Sequence, residues 1–174
     1  MGKPWHGRLV CGVQLPAEST TFTTWDFPLG FAPNEGWRRW GTSELVATVE
    51  AIAADYQIRF GPVPRLVVGD LSRPHGGAFG EKFGGAGHAS HQNGRDVDIF
   101  YPRRDGLERI PSRVAQVDRR MAQELADRFV RAGARYVFVG PATGLLGPPG
   151  VVMTLANNDD HLHVRIRPGH GASR

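Results

Sequence analysis

The sequence predicts an α+β domain in which short strands and two helices are joined by long loops. Residues 95–101 and 161–167 alternate between apolar and polar side chains, which is the period of a half-buried strand. Two other stretches, one after Thr42 and one before Gly133, have apolar residues at helical spacing. The 23 glycines and 13 prolines in the 174-residue chain indicate many turns. We therefore expect a single domain over residues 1–174, with residues 170–174 as a loose tail.

The first half of the chain contains two predicted strands and one predicted helix. Residues 8–14 and 66–68 are the strands, and residues 15–40 have the composition of a loop. The tryptophans of this loop either cover the core or form a stacking surface for a carbohydrate or peptide. Thr42 can cap a helix that runs to about residue 56, because its hydroxyl accepts a hydrogen bond from the first turn. The apolar stripe of that helix consists of Leu45, Val46, Val49, Ile52, Ala53 and Tyr56.

The second half alternates strands with one further helix. Ser112 is the predicted cap of this helix, whose apolar stripe runs to Phe129 and which ends at Gly133. Strands are expected at residues 95–101, 135–139, 151–154 and 161–167. Residues 71–90 form a glycine-rich loop without the Gly-Lys-Ser/Thr ending of a phosphate loop. A loop of this length is usually functional or disordered, and we expect it to line a site.

Composition excludes several classes of protein. No run of about 18 apolar residues exists, so we expect no membrane span. Residues 1–11 contain no apolar stretch of signal-peptide length, and the single Cys11 rules out an intrachain disulfide. The net charge of +4 comes from scattered arginines, which are usually solvated surface; their functional interpretation is attraction to an anionic partner, either nucleic acid or a cell wall with acidic polymers. No basic run is interleaved with aromatic residues, so nucleic acid is not the expected partner.

The candidate site lies in residues 90–98 and in the pair His161 and His163. Two histidines two apart on a strand project from one face, and Asp96 and Asp98 are paired in the same way on another strand. If these strands are neighbours, the four side chains converge, and burying them without partners would be costly. A histidine, a carboxylate and a second histidine suit zinc, and three protein ligands leave a position for water. The arrangement predicts a metallohydrolase rather than a structural zinc site.

The spacing of these residues also resembles a known family. The pattern resembles that of the lysostaphin-type and D-Ala-D-Ala metallopeptidase superfamily. It consists of His91, six intervening residues, Asp98 and a distant His161-x-His163. Within it, the chain is most similar to the penicillin-insensitive murein endopeptidases. The shorter matching stretches run in order from residue 13 to residue 165 and include Val13-Gln14-Leu15-Pro16, Trp40-Gly41-Thr42, Val68-Gly69-Asp70-Leu71-Ser72 and His161-Leu162-His163-Val164-Arg165.

The resemblance implies a set of roles. It implies that His91, Asp98 and His163 bind Zn²⁺, that His161 is catalytic, and that His88 is a further active-site histidine. It implies a small antiparallel sheet that carries the zinc site and is flanked by helices and long loops. The implied substrate is the D-amino-acid-containing peptide cross-link of peptidoglycan. The implied location is therefore the periplasm or the extracellular cell wall.

Further assignments concern the surroundings of these ligands. His161 is the expected contact of the attacking water, and His88 would stabilise the oxyanion or protonate the leaving group. Asp96 is either a partner that orients a histidine or a plain surface carboxylate. Asn158 stands where relatives tend to have a histidine, and Asn cannot titrate near neutral pH. The neighbouring residues Asn157, Asp159 and Asp160 are candidate hydrogen-bond partners in its place.

Alternative functions share the same residues. A zinc D,D-carboxypeptidase or dipeptidase, or a phage-type lytic peptidase, would use the same ligands. A zinc-containing module that binds cell wall without cleaving it is an alternative outside enzymes. The long loops at 15–40 and 71–90 favour a polymer-length groove over a closed dipeptide pocket, and hence the endopeptidase.

Overall fold

The computed structural model describes residues 1–80 and 88–168, and its main feature is a mixed β-sheet. The strands are β1 (Gly2–Lys3), β2 (His6–Gly7), β3 (Val13–Gln14), β4 (Phe22–Thr24), β5 (Trp40–Gly41), β6 (Leu66–Val68), β7 (Asp96–Phe100), β8 (Tyr136–Val139), β9 (Val152–Thr154) and β10 (His161–Arg165). Six of them form one sheet in the order β4-β6-β7-β10-β8-β9. The other four form two small pairs, β1 with β2 and β3 with β5.

The centre of the sheet is antiparallel. Strand β10 is antiparallel to both β7 and β8, and β6 is antiparallel to β7. The outer pairs, β4 with β6 and β8 with β9, are parallel. The α+β class with an antiparallel sheet is therefore confirmed, with parallel pairs added at both edges.

Two helices accompany the sheet, α1 (Ser43–Phe60) and α2 (Arg119–Arg131). The hydroxyl of Thr42 caps α1 by accepting a hydrogen bond from the Leu45 amide at 3.2 Å, as the sequence predicts. Asp118 caps α2 by accepting from the Met121 amide at 3.0 Å. Among the described residues, no helix is long and apolar enough to cross a membrane.

The hydrophobic core joins these helices to one face of the sheet. Strands β7 and β10 contribute Val97, Ile99, Leu162 and Val164, and each of these side chains is at most 1% exposed. The apolar stripes of both helices belong to the same buried cluster. Burying one such side chain contributes roughly 1.5–3 kcal/mol, so this face is strongly specified. Because strand side chains alternate, the other face of β7 and β10 carries the polar residues of these strands, together with Phe100.

Three local predictions are wrong. The strand predicted at 8–14 is reduced to Val13–Gln14, because Cys11 has a left-handed backbone with φ of 52° and interrupts it. The loop predicted at 15–40 contains β4, which is fully buried and so lacks the alternation that reveals a strand. The second helix begins after Asp118 rather than Ser112, and only a short 3-10 turn lies between them.

Other predictions are confirmed or fall outside the described residues. Helix α1 extends four residues beyond the expected end at 56, to Phe60. Strands β6, β7, β8, β9 and β10 lie within the predicted ranges. The loose tail at 170–174 and the glycine-rich residues 81–87 lie outside the described part of the chain.

Candidate metal centre

The pairing of β7 with β10 assembles the polar face of the sheet. His163 lies opposite Asp98, Arg165 lies opposite Asp96, and His161 lies opposite Phe100. The two histidines and the two carboxylates therefore share one face, as the alternation predicts. Asp96 and Asp98 are both buried, which means that their charges need partners within the protein or in a bound cation.

His91 reaches this face from a tight turn before β7. Its backbone is left-handed, with φ of 69°, a conformation that carries strain of order 1–3 kcal/mol and is concentrated at functional sites. The side chain is completely buried, and its Nδ1 lies 2.5 Å from the Leu71 carbonyl oxygen. Since a carbonyl only accepts, Nδ1 carries the proton and Nε2 presents a lone pair to the site.

Three ligand atoms form a compact triangle on the sheet. The His163 Nδ1 lies 3.0 Å from the Asp98 Oδ1 and 3.3 Å from the His91 Nε2. The third side, from His91 Nε2 to Asp98 Oδ1, is 3.4 Å. Ligands about 2.0–2.1 Å from a tetrahedral zinc lie roughly 3.3–3.4 Å apart, so the triangle fits one face of that tetrahedron.

The second nitrogen of His163 is held by Asp96. The Nε2 lies 3.1 Å from the Asp96 Oδ1, which also accepts a 2.7 Å hydrogen bond from the Arg165 Nε. A proton on Nε2 leaves Nδ1 of the imidazole free to bind a metal. Asp96 is therefore a buried partner of His163, and it is not a plain surface carboxylate.

His88 approaches the same carboxylate from another side. His88, His91 and Asp98 each offer a ligand atom, and these atoms lie within 4.8 Å of one another, so this group could bind a metal ion. The His88 Nδ1 lies 3.7 Å from the Asp98 Oδ2. This contact is longer than the sides of the triangle that contains His163.

The other nitrogen of His88 is held by a buried carboxylate. The Nε2 lies 2.6 Å from the Asp70 Oδ2. Asp70 in turn pairs with Arg38, whose Nε donates to the Oδ1 at 2.7 Å, and with Asn34, whose Nδ2 donates at 2.9 Å. Sequence reasoning assigned no role to Asp70 or Arg38, because nothing in their spacing connects them to residue 88.

His161 stands beside the triangle. Its Nδ1 lies 2.6 Å from the Asp160 Oδ1, and its Nε2 lies 3.7 Å from the Asp98 Oδ1. Asp160 is thus a partner of the kind the sequence suggested, whereas Asp159 accepts from the Ala142 amide instead. Asn158 is buried, and its Nδ2 has no hydrogen-bond partner among the residues that the structure describes.

The electrostatics of the face favour a cation. Burial lowers the pKa of His91, which keeps this imidazole neutral. Burial also opposes the charge on His163, but its hydrogen bonds to Asp96 and Asp98 raise its pKa to about 9. The surrounding imidazoles of His91 and His161 and the hydrogen bond from His163 hold the pKa of Asp98 well below its ordinary value, against the effect of burial. A metal would replace the His163 Nδ1 proton as the positive charge beside these carboxylates.

A cavity of about 690 Å³ opens over these side chains. Its lining includes His88, Asp98, Asn158, His161 and His163. Its rim carries the exposed apolar side chains Trp5, Phe27 and Leu155. The hairpin of β1 and β2 brings Trp5 to the rim, and the neighbouring Pro4 carbonyl accepts a hydrogen bond from the Gln92 amide at 2.9 Å. No sequence pattern predicted that Trp5 would lie at this cavity.

A sheet face that gathers two imidazoles and a carboxylate under an open cavity is typical of metal-dependent hydrolases. The family model of the penicillin-insensitive murein endopeptidases matches residues 1–136, and the chain belongs to that peptidase family. The matched residues include His88, His91 and Asp98, and strand β10 follows them in the chain.

One curated relative has the same description. The penicillin-insensitive murein endopeptidase of Haemophilus influenzae is 26% identical over 151 residues, which cover 77% of this chain and 49% of that protein. The chain thus spans about half the length of the curated relative it matches.

Proposed function

We propose that this chain is a zinc-dependent murein endopeptidase, which hydrolyses the D-amino-acid-containing peptide cross-links of peptidoglycan in the periplasm or the extracellular cell wall. The observation that carries the proposal is the ligand triangle of His91, Asp98 and His163, with sides of 3.0–3.4 Å, in a chain of this family. The description of the family names murein, and the side chains around the triangle would supply the hydrolytic groups.

His91, Asp98 and His163 would hold the zinc ion. Two nitrogens and one carboxylate oxygen suit Zn²⁺, and each imidazole already has a partner for its other nitrogen. His163 is preferred to His88 as the third ligand because its nitrogen lies 3.0 Å from the Asp98 Oδ1. When bound, zinc would lower the pKa of a water molecule to roughly 7 and polarise the peptide carbonyl.

His161 would accept a proton from the attacking water and pass it to the leaving nitrogen of the scissile bond. Asp160 holds its Nδ1 at 2.6 Å, so the Nε2 faces the site at 3.7 Å from the Asp98 Oδ1. That position is beside the metal ligands but outside their triangle, as a proton acceptor for a bound water requires. An imidazole also titrates in the range needed for both halves of the reaction.

His88 would act on the substrate side of the site. Its Nδ1 lies 3.7 Å from the Asp98 Oδ2, whereas the His161 Nε2 approaches the Oδ1. The His88 Nδ1 faces the site, and in the doubly protonated imidazolium it can donate to either the developing oxyanion or the leaving nitrogen of the scissile bond.

The cavity suits an extended peptide. Its volume of about 690 Å³ is within the range of ligand pockets, and its rim of Trp5, Phe27 and Leu155 can pack on side chains of a stem peptide. The sequence-wide charge of +4 favours approach to the acidic polymers of a cell wall.

The experiment is a digest of purified, cross-linked peptidoglycan, with the muropeptides separated and identified by mass. Zinc-loaded, chelated and His161→Ala proteins are compared. Conversion of cross-linked dimers to monomers only by the zinc-loaded wild type supports the proposal, and the masses identify the bond. Loss of a terminal D-Ala from persisting dimers would instead show a carboxypeptidase. Unchanged muropeptides with zinc still bound would point to a non-catalytic binding module.

A further inference from the structure

We propose that Asp70 is a positioning residue for His88, and that Arg38 and Asn34 hold Asp70 for this task. The inference deepens the proposed function and rests on it, because it concerns the orientation of a side chain in the same site. Asp70 is not expected to touch the substrate. It acts through the hydrogen bond of 2.6 Å between its Oδ2 and the His88 Nε2.

Asp70 is fixed to the backbone that carries the metal ligands. It is the second residue after β6, and its carbonyl oxygen accepts a hydrogen bond of 3.0 Å from the Asp98 amide. The Gly69 amide in turn donates to the Asp98 carbonyl at 2.8 Å. A Cβ at Gly69 would lie 2.9 Å from a ring carbon of Phe100, so a glycine is needed for this close approach. The main chain thus sets the distance between Asp70 and the ligand Asp98.

The side chain of Asp70 is held as firmly as its backbone. Its Oδ1 accepts from the Arg38 Nε at 2.7 Å and from the Asn34 Nδ2 at 2.9 Å. The Arg38 Nη2 donates to the Oδ2, which makes the ion pair bidentate. This second oxygen therefore has one remaining direction in which to accept, and His88 occupies it.

Burial of this pair argues against a role in stability alone. Asp70 and Arg38 are each 3% exposed, whereas His88 is partly exposed to the cavity. Desolvating two charges costs several kcal/mol per ion, and an apolar pair of similar volume often stabilises a core as well or better. A buried ion pair whose free lone pair points at an active-site imidazole is better explained by the orientation it gives to that imidazole.

The orientation has a chemical consequence. A carboxylate that already accepts from a guanidinium can only accept, so the His88 Nε2 must carry a proton. The Nδ1 is then the nitrogen that faces the site, 3.7 Å from the Asp98 Oδ2. Asp70 thus selects both the ring rotamer of His88 and the nitrogen that it presents to the substrate.

Asp70→Asn tests this directly. An amide in place of the carboxylate keeps the shape, but its NH₂ group would face both the Arg38 Nη2 and the His88 Nε2. We expect kcat to fall roughly 10–100-fold with little change in KM, while zinc stays bound at wild-type stoichiometry. Arg38→Lys, which keeps the charge but not the bidentate geometry, should give an intermediate loss. Glu108→Gln is the matched control, because Glu108 pairs with Arg65 outside the cavity.

Nitrogen-15 NMR of histidine-labelled, zinc-loaded protein at mildly alkaline pH supplies a readout that a purely structural role would not change. His88 is assigned by comparison with His88→Gln. The wild type should show His88 protonated at Nε2, and Asp70→Asn should shift it towards the Nδ1–H form. A wild-type His88 without a proton on Nε2 would overturn the proposal even if Asp70→Asn does not fold. So would a folded, zinc-loaded Asp70→Asn protein with wild-type kcat. If the wild type releases no muropeptides, the proposed function fails, but the NMR result still decides the role of Asp70.

Discussion

His163 and Asp98 face each other across the pair of strands β7 and β10, with the His163 Nδ1 3.0 Å from the Asp98 Oδ1. The strands meet in this register although 65 residues separate the two positions. Their opposite faces, with Ile99 and Leu162, lie in the core. A slip of one residue would move the polar side chains into that core, so the packing of the apolar face also fixes the geometry of the site.

The first prediction concerns the ligands. His91→Ala, Asp98→Ala and His163→Ala should each abolish zinc retention and peptidoglycan hydrolysis together, because each removes one of three protein ligands. Zinc per chain is measured by elemental analysis after dialysis, next to the muropeptide assay. A His163→Ala protein that retains zinc while His88→Ala loses it would show that His88 is the third ligand.

The second prediction separates catalysis from metal binding. His161→Ala should lose hydrolysis while zinc remains bound at wild-type stoichiometry, because the His161 Nε2 lies outside the ligand triangle, 3.7 Å from the Asp98 Oδ1. Zinc per chain and muropeptide release are measured on one preparation of the variant. Loss of zinc in this variant would falsify the assignment and make His161 a ligand.

Period-two alternation predicted the sheet face of the site, because side chains on a strand alternate irrespective of its partner. It placed His161 with His163 and Asp96 with Asp98, and the structure brings both pairs to one face. The direct apposition of the pairs depends on strand register, which tertiary packing sets and local sequence does not reveal.

One contact of the site and two features of the fold could not be predicted from the sequence. Asp70 reaches His88 through a contact between side chains 18 positions apart, which no periodic pattern encodes. Strand β4 has three residues and is buried throughout, so it lacks the polar alternation by which strands are recognised. The start of α2 depends on which side chain accepts a hydrogen bond from a backbone amide of the first helical turn. Asp118 accepts from the Met121 amide, so the helix begins after Asp118 rather than after Ser112.

The third prediction concerns the orientation of His163. Asp96→Asn should weaken zinc binding roughly 10–100-fold, because the carboxylate that holds the His163 Nε2 at 3.1 Å is lost. The dissociation constant is measured by competition with a chelator of known affinity. Asp127→Asn on α2, outside the cavity, controls for the loss of one negative charge. Equal zinc affinity in Asp96→Asn and wild type would show that Asp96 does not support the ligand.

The fourth prediction concerns acid stability. Burial by itself would raise the pKa of Asp70, but hydrogen bonds from His88 and Arg38 outweigh burial and lower it from 3.8 to about 2. A carboxyl group whose pKa is depressed in the folded state stabilises the protein above its unfolded pKa. That stabilisation disappears as the pH falls through the folded pKa. The loss should therefore occur between about pH 4 and pH 2, with a magnitude of about 2–3 kcal/mol.

Urea unfolding of the metal-free protein, repeated from neutral pH down to pH about 2, measures this term. The free energy of unfolding of wild type should exceed that of Asp70→Asn at neutral pH, and the difference should shrink as the Asp70 carboxylate protonates. Glu50→Gln, which removes an exposed carboxylate of α1, is the control for the change of one charge. A difference in unfolding free energy between Asp70→Asn and wild type that stays constant over the whole pH range would contradict the depressed pKa of Asp70. Protonation of a carboxyl group with that pKa must change the stability of the wild type but not that of the asparagine variant.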